Sequence, residues 1–109
     1  MSQENIYLKN RKVFKVSGLN CIGFLNNILT LDISKLTPFE TRPSALLSPQ
    51  GRVLFDILVS LDFSSNSKEK SILIEYDLFC EDGLIKKLDM YNLRKEVKIE
   101  KTSYNVLVT

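Results

Sequence analysis

The apolar positions of this chain change period several times, and each change marks an element. Residues 1–10 are polar and predict a loose start. Lys12 to Ser17, with Val13, Phe14 and Val16 set among polar residues, predicts a strand that Gly18 ends. Asn20 then stands where a helix N-cap is expected. Behind it Cys21, Phe24, Leu25, Ile28 and Leu29 recur at i, i+3, i+4, i+7 and i+8, the period of an amphipathic helix. This predicts a helix over 20–30 held on a sheet by Cys21, Phe24, Leu25 and Ile28. Gly23 weakens it by about 1 kcal/mol relative to Ala.

Thr37-Pro38-Phe39 breaks the chain, and Ser44 to Ser48 predicts a second strand. Pro49-Gln50-Gly51-Arg52 is a turn signal, with Pro presetting φ and Gly free to take a positive one. Val53 to Leu61 is the return strand, so 44–61 predicts a β-hairpin. Asp62 to Lys70, rich in Ser, Asn and Lys, reads as a solvated loop. Ser71 to Tyr76 predicts a third strand of the meander. Residues from about 78 to 92 suit a helix, with Leu84, Leu88 and Tyr91 on one face and Ile85 beside them. Glu96 to Glu100 alternates charged and apolar residues, the pattern of a half-exposed strand, and Tyr104 to Thr109 begins another.

The resulting order is β-α-β-β-β-α-β-β. It predicts an α+β fold, a ferredoxin-like antiparallel sheet with two helices, in one domain spanning 1–109. No turn, cap or polar tail follows Val108. Natural termini usually fray through polar residues, so this end reads as a truncation, with the last strand running on into further sequence.

Composition narrows the chemistry. Hydrophobic residues make up 44% and charged residues 26%, the balance of a globular chain. The net charge of +2 is spread without a basic tract, which argues against a nucleic-acid binder. No apolar run approaches the roughly 20 residues of a membrane-spanning helix. There is no histidine, which excludes His metal ligands, Ser-His or Cys-His nucleophile pairs and a His general base. Cys21 and Cys80 match no metal spacing, and with no signal peptide they point to a reducing compartment.

Three stretches carry a resemblance. Val16-Ser17-Gly18-Leu19-Asn20 followed by Phe24 to Asp32 is similar to a Val-Ser-Gly-x-Asp-Ala, Phe-Leu-Gln, Leu-Leu-Thr-x-Asp pattern, with Asn20 in place of the Asp. Leu46 to Asp56 resembles a Leu-Leu-x-Pro-Gln-Gly-Arg/Lys-x-Leu-x-Asp hairpin. Leu88 to Val97 resembles Leu-x-x-Tyr-x-Leu-Arg-x-x-Val. In this order and spacing they resemble the N-terminal segment of the YgfZ-type folate-binding proteins, related to the glycine cleavage T-protein, an aminomethyltransferase. The resemblance implies the N-terminal part of the aminomethyltransferase folate-binding fold and tetrahydrofolate as cofactor. It implies a part in iron–sulfur cluster assembly or repair and, through it, in some tRNA modification. Iron–sulfur proteins are the implied partners, in the cytoplasm or, in a eukaryote, the mitochondrial matrix. The family's downstream Lys-Gly-Cys-Tyr/Phe-x-Gly-Gln-Glu motif has no match here, and neither cysteine takes its place. A tetrahydrofolate-dependent aminomethyltransferase and a ligand-free interaction module are the rival readings.

The resemblance also singles out candidate folate contacts. Asp56 lies in the apolar run Val53 to Val59, on one face with Leu54 and Leu58. A carboxylate there is costly unless partnered, and it can accept hydrogen bonds from a pterin's amino and ring N–H groups. Against this, Asp56 either pairs with an Arg or lies on an exposed sheet face. Aminomethyltransferases place two adjacent acids at this point, and Phe55 stands where the first would be. Arg52 and Arg94 are fitted to hold the glutamate tail of folate, or else are a solvated turn residue and a helix-end cation. Tyr91 is placed either to stack on a pterin or to fill the core. Thr30 and Asp32 read as structural, and Gly51 as serving the turn.

The resemblance further implies that the segment lacks a second wall of the pocket. It is expected to bind tetrahydrofolate poorly and to self-associate through an open sheet edge.

Overall fold

A computed structural model describes residues 6–7, 10–38, 40–62, 71–94, 97–104 and 107–108. Strands β2 (Arg11–Ser17), β3 (Thr41–Leu47), β4 (Val53–Leu61), β5 (Ile72–Asp77) and β6 (Lys98–Lys101) form one antiparallel sheet in the order β3-β4-β5-β2-β6. Helices α1 (Cys21–Ile28) and α2 (Glu81–Tyr91) send their buried residues into one core on the same side of that sheet. The α+β class with an antiparallel sheet and two helices is as expected. Helix α2 carries the chain from β5 across β2 to β6, and the β3–β4 hairpin widens the sheet on the other side.

The core follows from strand alternation. Phe14 and Val16 of β2 oppose Ile74 and Ile72 of β5, and Val59 of β4 opposes Ile74 from the other flank. All five are at most 1% exposed. Cys21 and Leu25 of α1 and Leu84 and Leu88 of α2 close over them, with Phe24, Ile28, Ile85 and Tyr91 partly buried beside them. Each such side chain contributes roughly 1.5–3 kcal/mol through burial.

Several boundaries differ from the sequence reading. Helix α1 stops at Ile28, because Leu29 turns extended and bridges to Leu46. Strand β3 starts at Thr41 and includes Pro43, which an edge strand tolerates since one side of its backbone has no partner strand. A 3-10 turn over Leu78–Cys80 precedes α2, seeded by Asp77, whose carboxylate accepts from the Phe79 N–H at 2.9 Å. A second 3-10 turn, Ile33–Lys35, is capped by Asp32. The loose start contains a strand, β1 (Ile6–Tyr7), which pairs with β7 (Leu107–Val108) in a separate two-stranded sheet. The last strand therefore does not extend the main sheet. Most of the loop expected over 62–70 lies outside the described residues, as does Glu96, the expected start of β6.

Candidate functional site

The β3–β4 hairpin positions two of the four candidate residues. Ser48 and Arg52 close its end, with the Ser48 N–H donating to the Arg52 carbonyl at 2.8 Å and the Arg52 N–H donating to Ser48 Oγ at 3.1 Å. Gly51 turns the chain at φ 84°, a region that disfavours a Cβ. Arg52 projects from this turn and is exposed.

From Phe55 to Leu61 the faces of β4 alternate as read from the sequence, and a register shift between Leu46 and Leu47 of β3 leaves Leu54 out of the pairing. Ile57 and Val59 are buried under the helices, whereas Leu58 is half-buried on the opposite face with Asp56 exposed beside it. Opposing residues share a face, so Ala45 (opposite Asp56) and Glu75 (opposite Leu58) lie on this side. So do Leu73, which opposes Ser60, and Val13, which opposes Glu75. Arg11 reaches Glu75 at 3.3 Å, and Lys15 reaches Asp62 at 3.2 Å. Asp56 has no hydrogen bond or ion pair among the described residues. Of the alternatives for Asp56, the exposed sheet face is the one observed, and pairing with an Arg is not. Phe55 points the other way and packs into the notch at Gly83 of α2, where an added Cβ would sit 3.1 Å from its ring.

Tyr91 and Arg94 come together elsewhere, on the helix side. They share a groove of about 330 Å³ with Asn20, Phe24, Asn27 and Leu93. A second hollow of about 280 Å³ continues past Asn27 and Tyr91 to Ile28, Leu47, Pro49 and Gly51. The Tyr91 hydroxyl donates to the Leu47 carbonyl at 3.2 Å, fixing the ring between α1 and the hairpin. Asp56 lines neither hollow.

Thr30 and Asp32 have structural partners. Thr30 Oγ1 accepts from the Ala45 N–H at 3.1 Å and lies 3.3 Å from Ser44 Oγ. Asp32 Oδ1 accepts from the Ser34 hydroxyl at 2.6 Å and the Ser34 N–H at 3.1 Å, and these bonds hold its carboxyl below the usual aspartate range. Sequence reasoning missed a further group. The Tyr76 hydroxyl, at the end of a buried side chain, donates to Glu81 Oε1 at 2.6 Å, and Lys101 approaches Glu81 Oε2 at 3.6 Å. Burial first, and then Glu81, drive the phenol well above its ordinary range. The Tyr76 bond lowers Glu81 below the ordinary glutamate value. The only sequence signal was a tyrosine at a core position of β5.

Among the described residues no helix is long and apolar enough to cross a membrane. No group of three or more His, Cys, Asp or Glu there is placed to hold a metal ion.

No protein-family model matches the chain. It is 32% identical over 101 residues to the mitochondrial iron–sulfur cluster assembly factor IBA57 homolog of Yarrowia lipolytica, covering 90% of this chain and 21% of that protein. It is also 32% identical over 94 residues to the IBA57 homolog of Pyricularia oryzae, covering 84% of this chain and 23% of that protein. The chain thus spans about a fifth of the length of these curated relatives. Among solved structures it matches the glycine cleavage system aminomethyltransferase T of Bartonella henselae with a TM-score of 0.77 and 16% identity, over 94% of this chain and 27% of that one. The resemblance read from the three motifs is thereby borne out: over most of its length the chain is homologous to a stretch of the YgfZ-type iron–sulfur cluster assembly factors, and it has the fold of part of an aminomethyltransferase T.

Proposed function

We propose that this chain is the tetrahydrofolate-binding part of a YgfZ-type iron–sulfur cluster assembly or repair factor. The cofactor lies on the open face of the sheet beside Asp56. The observation that carries the reading is an exposed carboxylate on one face with half-buried Leu58 and Leu73, a face that no described helix covers. Leucines offer a flat apolar bed to a fused ring, and the carboxylate accepts two N–H groups from its edge. Arg52, at the hairpin end, is the candidate for the glutamate tail. Tyr91 and Arg94 stand on the helix side and are assigned no contact with a folate held at Asp56.

A reactive cysteine, where one is needed, comes from sequence outside this chain, as neither Cys21, buried in α1, nor Cys80, before α2, faces Asp56 across the open sheet. The rival aminomethyltransferase reading calls for two adjacent acids. Here the first position is Phe55, packed against Gly83, which favours the assembly factor. The proposed partners are iron–sulfur proteins, with tRNA modification as a downstream consequence. The proposed location is the cytoplasm or, in a eukaryote, the mitochondrial matrix; the relatives are named as mitochondrial proteins.

Calorimetric titration of tetrahydrofolate into the complete protein tests the reading. Asp56→Asn keeps the shape and removes the charge, and losing a charged hydrogen bond costs about 1.5–3 kcal/mol. Affinity is expected to fall roughly tenfold or more with the fold intact. Unchanged affinity would leave Asp56 as an ordinary surface acid.

A further inference from the structure

Asp56 sits where the main sheet divides. The β4–β5 ladder ends at Leu58–Glu75, whereas β4 reaches back to Val53 paired with β3, and β5 runs on to Asp77 paired with β2. Residues 53–57, Asp56 among them, thus belong to a two-stranded arm. Such a ribbon is marginal by itself, so its direction is set by contacts other than the β4–β5 ladder. The arm also holds the irregularity of the hairpin. The register shifts between Leu46 and Leu47, and Leu54, two residues before Asp56, has no opposite number. A bulge bends and twists its strand and re-aims the side chains beside it.

The ends of both helices hold the arm. Past α1, Leu29 bridges to Leu46, and Thr30 donates its N–H to the Ala45 carbonyl at 3.1 Å. On α2, Gly83 receives the Phe55 ring. The Tyr91 hydroxyl, from the last residue of α2, donates to the Leu47 carbonyl, at the register shift itself. The other ties are backbone pairing and packing. This one is a single side-chain hydrogen bond to the bulge.

We propose, resting on the assignment of folate to Asp56, that Tyr91 is a positioning residue for that carboxylate. Its hydroxyl fixes the backbone at the bulge, and the bulge sets the direction in which Asp56 leaves the sheet. Without the bond the arm can shift, and the carboxylate loses the alignment needed to accept two N–H groups from one ring edge. Tyr91 touches no ligand and acts through Leu47 and the strand opposite it.

The test is a double-mutant cycle in the complete protein, with tetrahydrofolate titrated calorimetrically into wild type, Asp56→Asn, Tyr91→Phe and the double variant. Tyr91→Phe keeps the ring and removes only the hydroxyl, so the fold should persist. It should weaken binding roughly fivefold to tenfold. In the Asp56→Asn background the same change should cost less than about twofold, because the charge it would aim is gone. Amide hydrogen exchange without folate should be faster over residues 45–57 in Tyr91→Phe and unchanged over 72–77. Wild-type affinity in Tyr91→Phe beside a loss in Asp56→Asn would overturn the positioning role and leave the folate reading standing. Equal losses in both backgrounds, or exchange raised across the whole sheet, would also overturn it. Wild-type affinity in Asp56→Asn would remove the folate reading, and the positioning role with it.

Discussion

The Tyr76–Glu81 pair shows how a residue buried for packing acquires a polar obligation. Tyr76 packs against Phe14 in the core, with ring centroids 4.8 Å apart and the ring planes tilted by 40°. Its hydroxyl reaches the start of α2 and finds Glu81. Glu81→Ala leaves that hydroxyl without its partner, a loss of about 1–3 kcal/mol. Tyr76→Phe removes the donor and leaves a carboxylate that water reaches, so its cost is smaller, about 0.5–1.5 kcal/mol. Urea unfolding of the two variants should give that order. The pH dependence follows from the lowered pKa of Glu81. A carboxylate depressed by folding contributes stability that is full above its ordinary value of 4.5 and is lost as pH falls through the lowered one. The stability of Glu81→Gln should accordingly fall less than wild type on acidification below about pH 4.5. An equal fall in both would remove Glu81 from the account. At this scale Asp56 was legible, because alternation alone assigned its face. The Tyr76–Glu81 bond was not, since it joins two elements whose approach the sequence does not state.

At the scale of elements, periodicity located both helices and every strand of the main sheet, while their ends followed tertiary partners. Leu29 continues the apolar period of α1 yet leaves the helix, because pairing with Leu46 ties the chain to the hairpin. Gly23 read as a weakness of α1, but a Cβ there would meet Asn20 Oδ1 at 2.6 Å, so the glycine makes room for that side chain. The Pro-Gln-Gly-Arg turn was fully legible, and its energetics are simple. No atom lies within 4 Å of a Cβ built on Gly51, so Gly51→Ala meets only the cost of a positive φ, about 1–2 kcal/mol. Gly51→Asn should lose less, as Asn tolerates this region. Thermal denaturation of the pair checks this, and equal losses would show that something other than φ controls the turn.

For the whole molecule, the main feature is a sheet covered on one side by two helices and bare on the other among the described residues. Pairing of Ile6–Tyr7 with Leu107–Val108 joins segments about a hundred residues apart, and local pattern carries no trace of such a contact. The edges of the main sheet also moderate the expected edge-to-edge association: β6 presents Lys98, Glu100 and Lys101, and β3 carries Pro43. The half-buried leucines around Asp56 are then the more favourable place for a second copy of the isolated chain to settle. Light scattering of wild type and Leu58→Lys should show less self-association in the variant. Equal association would return the contact to a strand edge.

The central claim is that this chain supplies one wall of a folate site and that sequence beyond it supplies the other. The most direct test is calorimetric titration of tetrahydrofolate into the 109-residue chain and into the complete protein under identical conditions. The account predicts saturable binding by the complete protein and none, or at least a hundredfold weaker binding, by the folded 109-residue chain. Micromolar binding by the 109-residue chain as a monomer would contradict it.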